Sequence, residues 1–167
     1  MDNTLRELCD KEDFKSIQQF FHDQGQVNID EIDMALRVIA STNNTLIAQF
    51  LIEKGATNVT EALSEATSQH GTDDMITLLL QHGANPQNWM AMEYAIQQEE
   101  FHAVQLLINA GFNEWSKALI SSVHHKKISF VHLFLQHHRP SPDELERLSQ
   151  SLSTNPHPEI YQLLGLP

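Results

Sequence analysis

The chain has 167 residues, of which 41% are hydrophobic, so it is long enough to bury a core and too apolar to be disordered. Its formal net charge of -12 argues against nucleic acid and anionic membranes as partners. No apolar run approaches the length of about 18 residues that predicts a membrane span. Cys9 is the only cysteine and cannot form an internal disulfide, which favours the reducing cytoplasm.

Residues 1–29 have the pattern of a terminal helical pair. Apolar residues recur at helical spacing in two short runs, and Gly25 follows the second run, where a left-handed glycine commonly ends a helix. The remaining positions are mostly polar, as the outer face of a capping unit must be. We therefore expect residues 1–29 to form an N-terminal cap.

Residues 30–139 contain four copies of one unit. Each copy has a small residue followed by an apolar one, then a second apolar run that ends at a glycine or, in the last copy, at a histidine. Repeats of roughly 20–50 residues predict stacked supersecondary units. The first residues of the four small–apolar pairs, at intervals of 27, 29 and 27 residues, are Ala35, Ala62, Ala91 and Ala118.

Each copy predicts an antiparallel pair of helices. In the third copy the apolar residues Met92 and Ile96, and then Val104 and Leu107, lie at helical spacing on either side of a short polar link. Residues 140–167 contain one more pair of apolar runs and predict a C-terminal cap. The predicted fold is a single all-α domain over residues 1–167, a solenoid of about six antiparallel helical hairpins.

The ends of the second apolar runs resemble the ankyrin-repeat family. The stretches LLLQHGANP, from Leu78 to Pro86, and LLINAGFN, from Leu106 to Asn113, look like the second helix and exit loop of that family. The family period is about 33 residues, and the residues missing here would form its projecting β-hairpins. The resemblance therefore implies ankyrin-like repeats with reduced or absent β-hairpin fingers. A solenoid of another class, built from shorter helix pairs, remains an alternative.

The resemblance implies a non-enzymatic protein–protein interaction module that binds through its inner, concave face and needs no cofactor. In the family this face is lined by residues just before the first helix of each repeat and near its C-terminal end. Tryptophan is enriched at binding hot spots, so two tryptophans expected in the shortened loops join the set, although each could instead cover the core beneath its loop. The expected partner-binding residues are Trp89, Trp115, Gln97, Gln98, His124, His125, Lys126 and Lys127.

The charge pattern suggests the chemistry of the partner. Residues 116–139 contain four basic residues, five histidines and no acid, so we expect an acidic or mixed partner surface. A monomer that binds one partner protein is the expected form. An alternative is a bacterial effector delivered into a host cell, since degenerate ankyrin-like proteins occur there and asparagine and glutamine total 24 residues.

The sequence offers little support for catalysis or metal binding. The five late histidines contain no pair separated by three or four residues, the spacing at which a helix presents two ligands on one face. No glycine-rich phosphate loop and no nucleophile motif are present. We therefore predict no metal site, and a metal-binding, ligand-binding or enzymatic role for the histidine-rich repeat is the less favoured alternative.

Overall fold

The computed structural model describes residues 4–153 and 156–166, which form twelve α-helices in six successive pairs and no strand. The predicted all-helical solenoid of about six hairpins is confirmed. No β-hairpin finger forms within these residues, because the segments between pairs are too short. The helices are α1 Leu5–Asp10, α2 Phe14–Gln24, α3 Ile29–Thr42, α4 Thr45–Glu53, α5 Val59–Ser68, α6 Asp73–Gln81, α7 Trp89–Gln97, α8 Phe101–Asn109, α9 Trp115–His124, α10 Ile128–His137, α11 Pro142–Ser153 and α12 Pro158–Leu164.

The odd-numbered helices, called here the first helices, contact one another in chain order from α1 to α11. The repeated alanines make this packing possible, since a side chain of one carbon lets two helices approach closely. Each alanine is fully buried, and so is the apolar residue after it, as the repeat pattern predicts. These buried pairs are Ala35 and Leu36, Ala62 and Leu63, Ala91 and Met92, and Ala118 and Leu119.

The turns within the first five helical pairs lie side by side along one edge, called here the turn edge. It consists of residues 11–13, 43–44, 69–72, 98–100 and 125–127. Neighbouring turns are in contact: the Asn44 side chain donates to Glu12 at 2.8 Å, and Asn43 accepts from the Thr72 backbone N–H at 2.8 Å. His70 contacts Glu100, and Lys127 contacts Glu99.

The segments that join successive pairs lie along the opposite edge, called here the loop edge. Glycines at the ends of the second helices have positive φ there, for example Gly83 at 92° and Gly111 at 110°, as the sequence predicts. The last copy differs, because His138 is extended, with φ of -141°. Chain extension at this point suits the following proline, which cannot continue a helix.

Side chains on the loop edge tie one repeat to the next. Asp33 accepts hydrogen bonds from the backbone N–H groups of Thr57 at 2.6 Å and Asn58 at 3.0 Å. Gln87 donates to the Gly111 carbonyl at 2.6 Å and accepts from the Asn113 N–H at 3.1 Å. These bonds satisfy loop backbone groups that would otherwise depend on solvent. They hold the short loops in place without a β-hairpin.

Candidate functional site

The two tryptophans are the first residues of helices, which corrects the expectation that they lie in loops. The structure places Trp89 at the start of α7 and Trp115 at the start of α9, both half-buried. The Asn88 side chain accepts a hydrogen bond from the Met90 N–H at 3.1 Å and so begins α7 directly before the tryptophan. Both rings consequently pack against the core at the loop edge.

The ring of Trp89 is in contact with a cation of the next repeat. Lys117 Nζ lies 4.3 Å from the ring centroid, a cation–π arrangement. The same ammonium group lies 3.2 Å from Glu114. Trp89 therefore presents an aromatic face at the surface that already attracts a positive charge.

The Trp115 side chain packs against the core at the loop edge. Its ring stacks on His137, with centroids 4.6 Å apart and an interplanar angle of 11°. It also makes an edge contact with buried Phe112 at 5.9 Å. Part of the ring remains accessible, because Trp115 and Ile120 contribute to the lining of an open cleft of about 440 Å³.

The other six predicted residues lie at the opposite ends of the same two helices. Gln97 and Gln98 end α7, and His124 is the last residue of α9, with three more residues following on the turn edge. Eight residues separate Trp89 from Gln97, a distance of about 12 Å along a helix. The structure thus divides the predicted site into a loop-edge part and a turn-edge part, joined by the exposed side of the first helices.

Acids of the preceding repeat reach the basic fourth copy, which contains no acid of its own within residues 116–139. Lys127 forms an ion pair with Glu99, and His125 lies 2.9 Å from Glu93, both acids of the preceding repeat. Stacking places residues about 28 positions apart next to each other, so acids outside residues 116–139 reach its bases. In the described part of the chain Lys126 forms no ion pair, and His124 is exposed beside the His125 ring.

Glu93 is held in its charged form between α7 and α9. Burial alone would raise its pKa, but hydrogen bonds from Ser121, His125 and Gln97 together hold it below its ordinary value. The Ser121 hydroxyl donates at 2.7 Å and the Gln97 amide at 3.1 Å. A carboxylate with a lowered pKa is a poor proton donor near neutral pH, so Glu93 serves as a structural anion rather than as a general acid.

Three exposed apolar side chains on the outward sides of the first helices, besides Ile29 at the start of α3, were not identified from the sequence. Met34 on α3 is 51% exposed, Met90 on α7 is 47% exposed and Ile120 on α9 is 40% exposed. Each lies outside the buried stripe of its helix. An apolar residue at an outward-facing helical position is the sequence signal that could have identified each of them. We call this exposed side of the first helices the inner face.

Cys9, the single cysteine of the chain, is buried in the core. Burial, assisted by the charge of Asp10, raises the pKa of Cys9 to about 12, so this thiol is not an activated nucleophile. Within residues 4–153 and 156–166, no three histidine, cysteine, aspartate or glutamate side chains come together to hold a metal ion.

None of the helices in this described part is both long and apolar enough to cross a membrane.

Comparison with known proteins identifies the repeats. Residues 36–118 match the family described as ankyrin repeats, in three copies. No curated protein matches the chain. Among solved structures, an ankyrin repeat domain from Acinetobacter baumannii is similar, with 23% sequence identity, a TM-score of 0.65 and coverage of 96% of this chain and 95% of that one. At this identity the likeness shows the shared fold.

Proposed function

Since the chain belongs to the ankyrin-repeat family through residues 36–118, we propose that it is a non-enzymatic module that binds a partner protein through its inner face. Ankyrin repeats are generally protein–protein interaction modules. Stacked repeats with few deep cavities offer an extended surface rather than an enclosed pocket. The twelve short helices here provide such a surface along their first helices.

The observation that carries this proposal is the exposed apolar set on the inner face. Met90 and Ile120 lie on neighbouring first helices, and the accessible part of Trp89 lies beside them on α7. Apolar and aromatic side chains exposed together on a folded surface are typical of binding sites. Gln97 and His124 extend the same two helices toward the turn edge and supply polar contacts.

The cleft beside Ile120 favours a partner that inserts one apolar side chain. Its lining includes Trp115, the aliphatic part of Lys117 and His138. The side chain of Lys117 is held between the Trp89 ring and Glu114. A partner carboxylate could therefore replace Glu114 as the anion that faces Lys117, which is consistent with an acidic or mixed partner surface.

The test compares affinity capture by the wild-type protein with capture by two variants of one repeat. Ile120→Glu adds a negative charge on the inner face, and Gln136→Glu adds the same charge on α10, on the opposite side of that pair. A partner should be captured by the wild type and by Gln136→Glu, and lost with Ile120→Glu. Equal capture by all three proteins would show that the inner face does not bind it.

Once a partner is purified, two further variants test the predicted residues. Trp89→Ala removes the aromatic face, and the double change His124→Ala, His125→Ala removes the polar end of α9. We expect each to weaken binding, with the aromatic truncation costing on the order of 1–2 kcal/mol or more. If both leave the dissociation constant within about twofold of the wild type, these residues do not form the partner surface.

A further inference from the structure

The turn edge carries an uneven distribution of charge. In the first turn Glu12 and Asp13 are exposed, close to Asp10 at the end of α1, and together these three acids outnumber the one base there, Lys11. In the fifth turn Lys126 and Lys127 follow two histidines. Because contacts link the five turns in chain order, the acidic and basic turns lie at the two ends of one continuous edge.

Three of the acids between these two ends contact cationic or imidazole partners, whereas exposed Asp74 beside the third turn has none among the described residues. Glu99 pairs with Lys127, Glu100 contacts His70, and Asp73 lies 3.2 Å from His102. Lys126 forms no ion pair within the described residues. The turn edge therefore has an excess of acid at its first turn and an unpaired base at its fifth.

Two exposed apolar side chains lie on the same edge, one on each side of its middle turn. Leu46, in the first turn of α4, is 61% exposed, and Phe101, the first residue of α8, is 45% exposed. Phe101 stacks on Phe130 at 5.9 Å and borders an open groove of about 300 Å³ that Lys126 and Lys127 also line. The groove thus has an apolar wall and a charged end, where Glu99 pairs with Lys127 and Lys126 remains without an ion pair among the described residues.

We propose that the turn edge is a docking surface for a second copy of this chain, related by a two-fold axis at the third turn. An antiparallel alignment of two such edges places the first turn of one copy against the fifth turn of the other, and the second against the fourth. Glu12 then faces Lys126, and Leu46 faces the groove beside Phe101, twice in each dimer. A two-fold interface requires this self-complementarity, in which each contact occurs twice.

The interaction differs from the proposed function because it leaves the exposed apolar residues of the inner face free, while it covers the turn-edge part of the predicted partner site, Gln98 and residues 125–127. Met90 and Ile120 lie on the exposed side of the first helices, and the turn edge is formed by the ends of those helices. A dimer would present two inner faces to partner proteins. It also replaces the monomer that the sequence predicts, since charge reversal between the two ends of one edge is visible only once the turns are aligned.

Glu12 and Lys126 allow a charge-exchange test with little risk to folding. Both lie in turns, both have positive φ, at 51° and 57°, and neither contributes to the core. Glu12→Lys and Lys126→Glu each create two like-charge contacts in their own dimer. We expect each variant alone to dimerise at least about tenfold more weakly than the wild type, as two reversed ion pairs imply.

A mixture of the two variants should restore association. In the mixed dimer one contact keeps the native Glu12–Lys126 pair, and the other has the same two charges exchanged between the copies. Sedimentation at concentrations up to about 0.5 mM, in about 0.05 M and about 0.5 M salt, measures the dissociation constants. The wild-type dimer and the mixed dimer should both weaken at the higher salt.

The control is Ile120→Glu, which should dimerise as the wild type does, because it changes only the inner face. Replacement of Leu46 by Ser should weaken the dimer without altering its salt dependence. A wild-type protein that stays monomeric at the highest concentration overturns the proposal. So does a dimer that neither charge reversal weakens, or a mixture of variants that remains as dissociated as its components.

Discussion

Glu144 at the start of α11 should be the most stabilising surface carboxylate in the C-terminal pair. It accepts a hydrogen bond from the Ser141 N–H at 2.8 Å, and its own N–H donates to the Ser141 hydroxyl at 3.2 Å, which is a capping box. The Ser116 hydroxyl on α9 also donates to it, and His138 Nε2 lies 3.2 Å away. One side chain thus caps α11 and ties it to the preceding pair.

These contacts determine how much Glu144 should contribute to the free energy of unfolding. The hydrogen bond from Ser116, followed by that from the Ser141 N–H, lowers the pKa of Glu144 from 4.5 to about 2, although partial burial opposes the change. The full difference corresponds to about 3 kcal/mol. Since a hydrogen bond to a charged group contributes about 1.5–3 kcal/mol and part of this carboxylate meets solvent, we expect Glu144→Ala to cost about 2 kcal/mol at pH 7.

The pH dependence has a definite sign. A carboxyl group with a lowered pKa in the folded state stabilises that state fully above its unfolded pKa, and this contribution disappears as pH falls through its folded pKa. The difference between wild type and Glu144→Ala should therefore be constant above about pH 5 and shrink between about pH 4.5 and 2. Acid titration of stability thus separates loss of the charge from loss of packing.

The assay is urea unfolding of Glu144→Ala and of Glu146→Ala, followed by circular dichroism from pH 7 downward. Glu146 lies on the same helix, is exposed, and accepts only a long hydrogen bond of 3.5 Å from Gln150. Its replacement should change stability by less than about 0.5 kcal/mol. Equal midpoints for the two variants at pH 7, or a Glu144 effect that persists unchanged at the lowest pH, would refute the reasoning.

Three further predictions concern the fold. Leu107→Ala should cost about 2–5 kcal/mol because this side chain is fully buried on α8, whereas Gln98→Ala should be nearly neutral; equal urea midpoints would contradict the assigned faces. Lys126→Gly should raise stability by about 0.5–1 kcal/mol, since φ there is 57°, while Gln98→Gly, at φ of -81°, should lower it by a similar amount. EDTA should leave the melting temperature unchanged, and a large drop would reveal a structural metal site.

The sequence predicts the parts of the fold that depend on local pattern. The regular interval between Ala35, Ala62 and Ala91 predicts the helix pairs, and glycines such as Gly83 predict where the second helices end. Both features follow from contacts within one repeat or from one residue's backbone preference. The number of pairs and the lack of β-hairpin fingers follow from the short period.

Contacts between repeats were harder to predict because they depend on how neighbouring units are aligned. Glu99 and Lys127, and likewise Glu93 and Ser121, are 28 residues apart and meet only when the repeats stack. The contact of the Trp89 ring with Lys117, also 28 residues later, likewise joins α7 to α9. A search for opposite charges one repeat apart would have found the Glu99–Lys127 pair.

A last prediction concerns which helical pair unfolds first when the contacts of Glu144 are lost. Among the described residues α11 packs on α9 and α12 packs on α10, so the C-terminal pair is held mainly by its contacts with the pair that precedes it. Loss of the Glu144 hydrogen bonds should therefore let this pair unfold before the central pairs. In Glu144→Ala, amide hydrogen exchange should accelerate in α11 and α12 and stay unchanged in α5 and α7. Faster exchange along the whole array would instead mean that the six pairs unfold as one cooperative unit, and the inner face would then lose its binding surface together with the C-terminal pair.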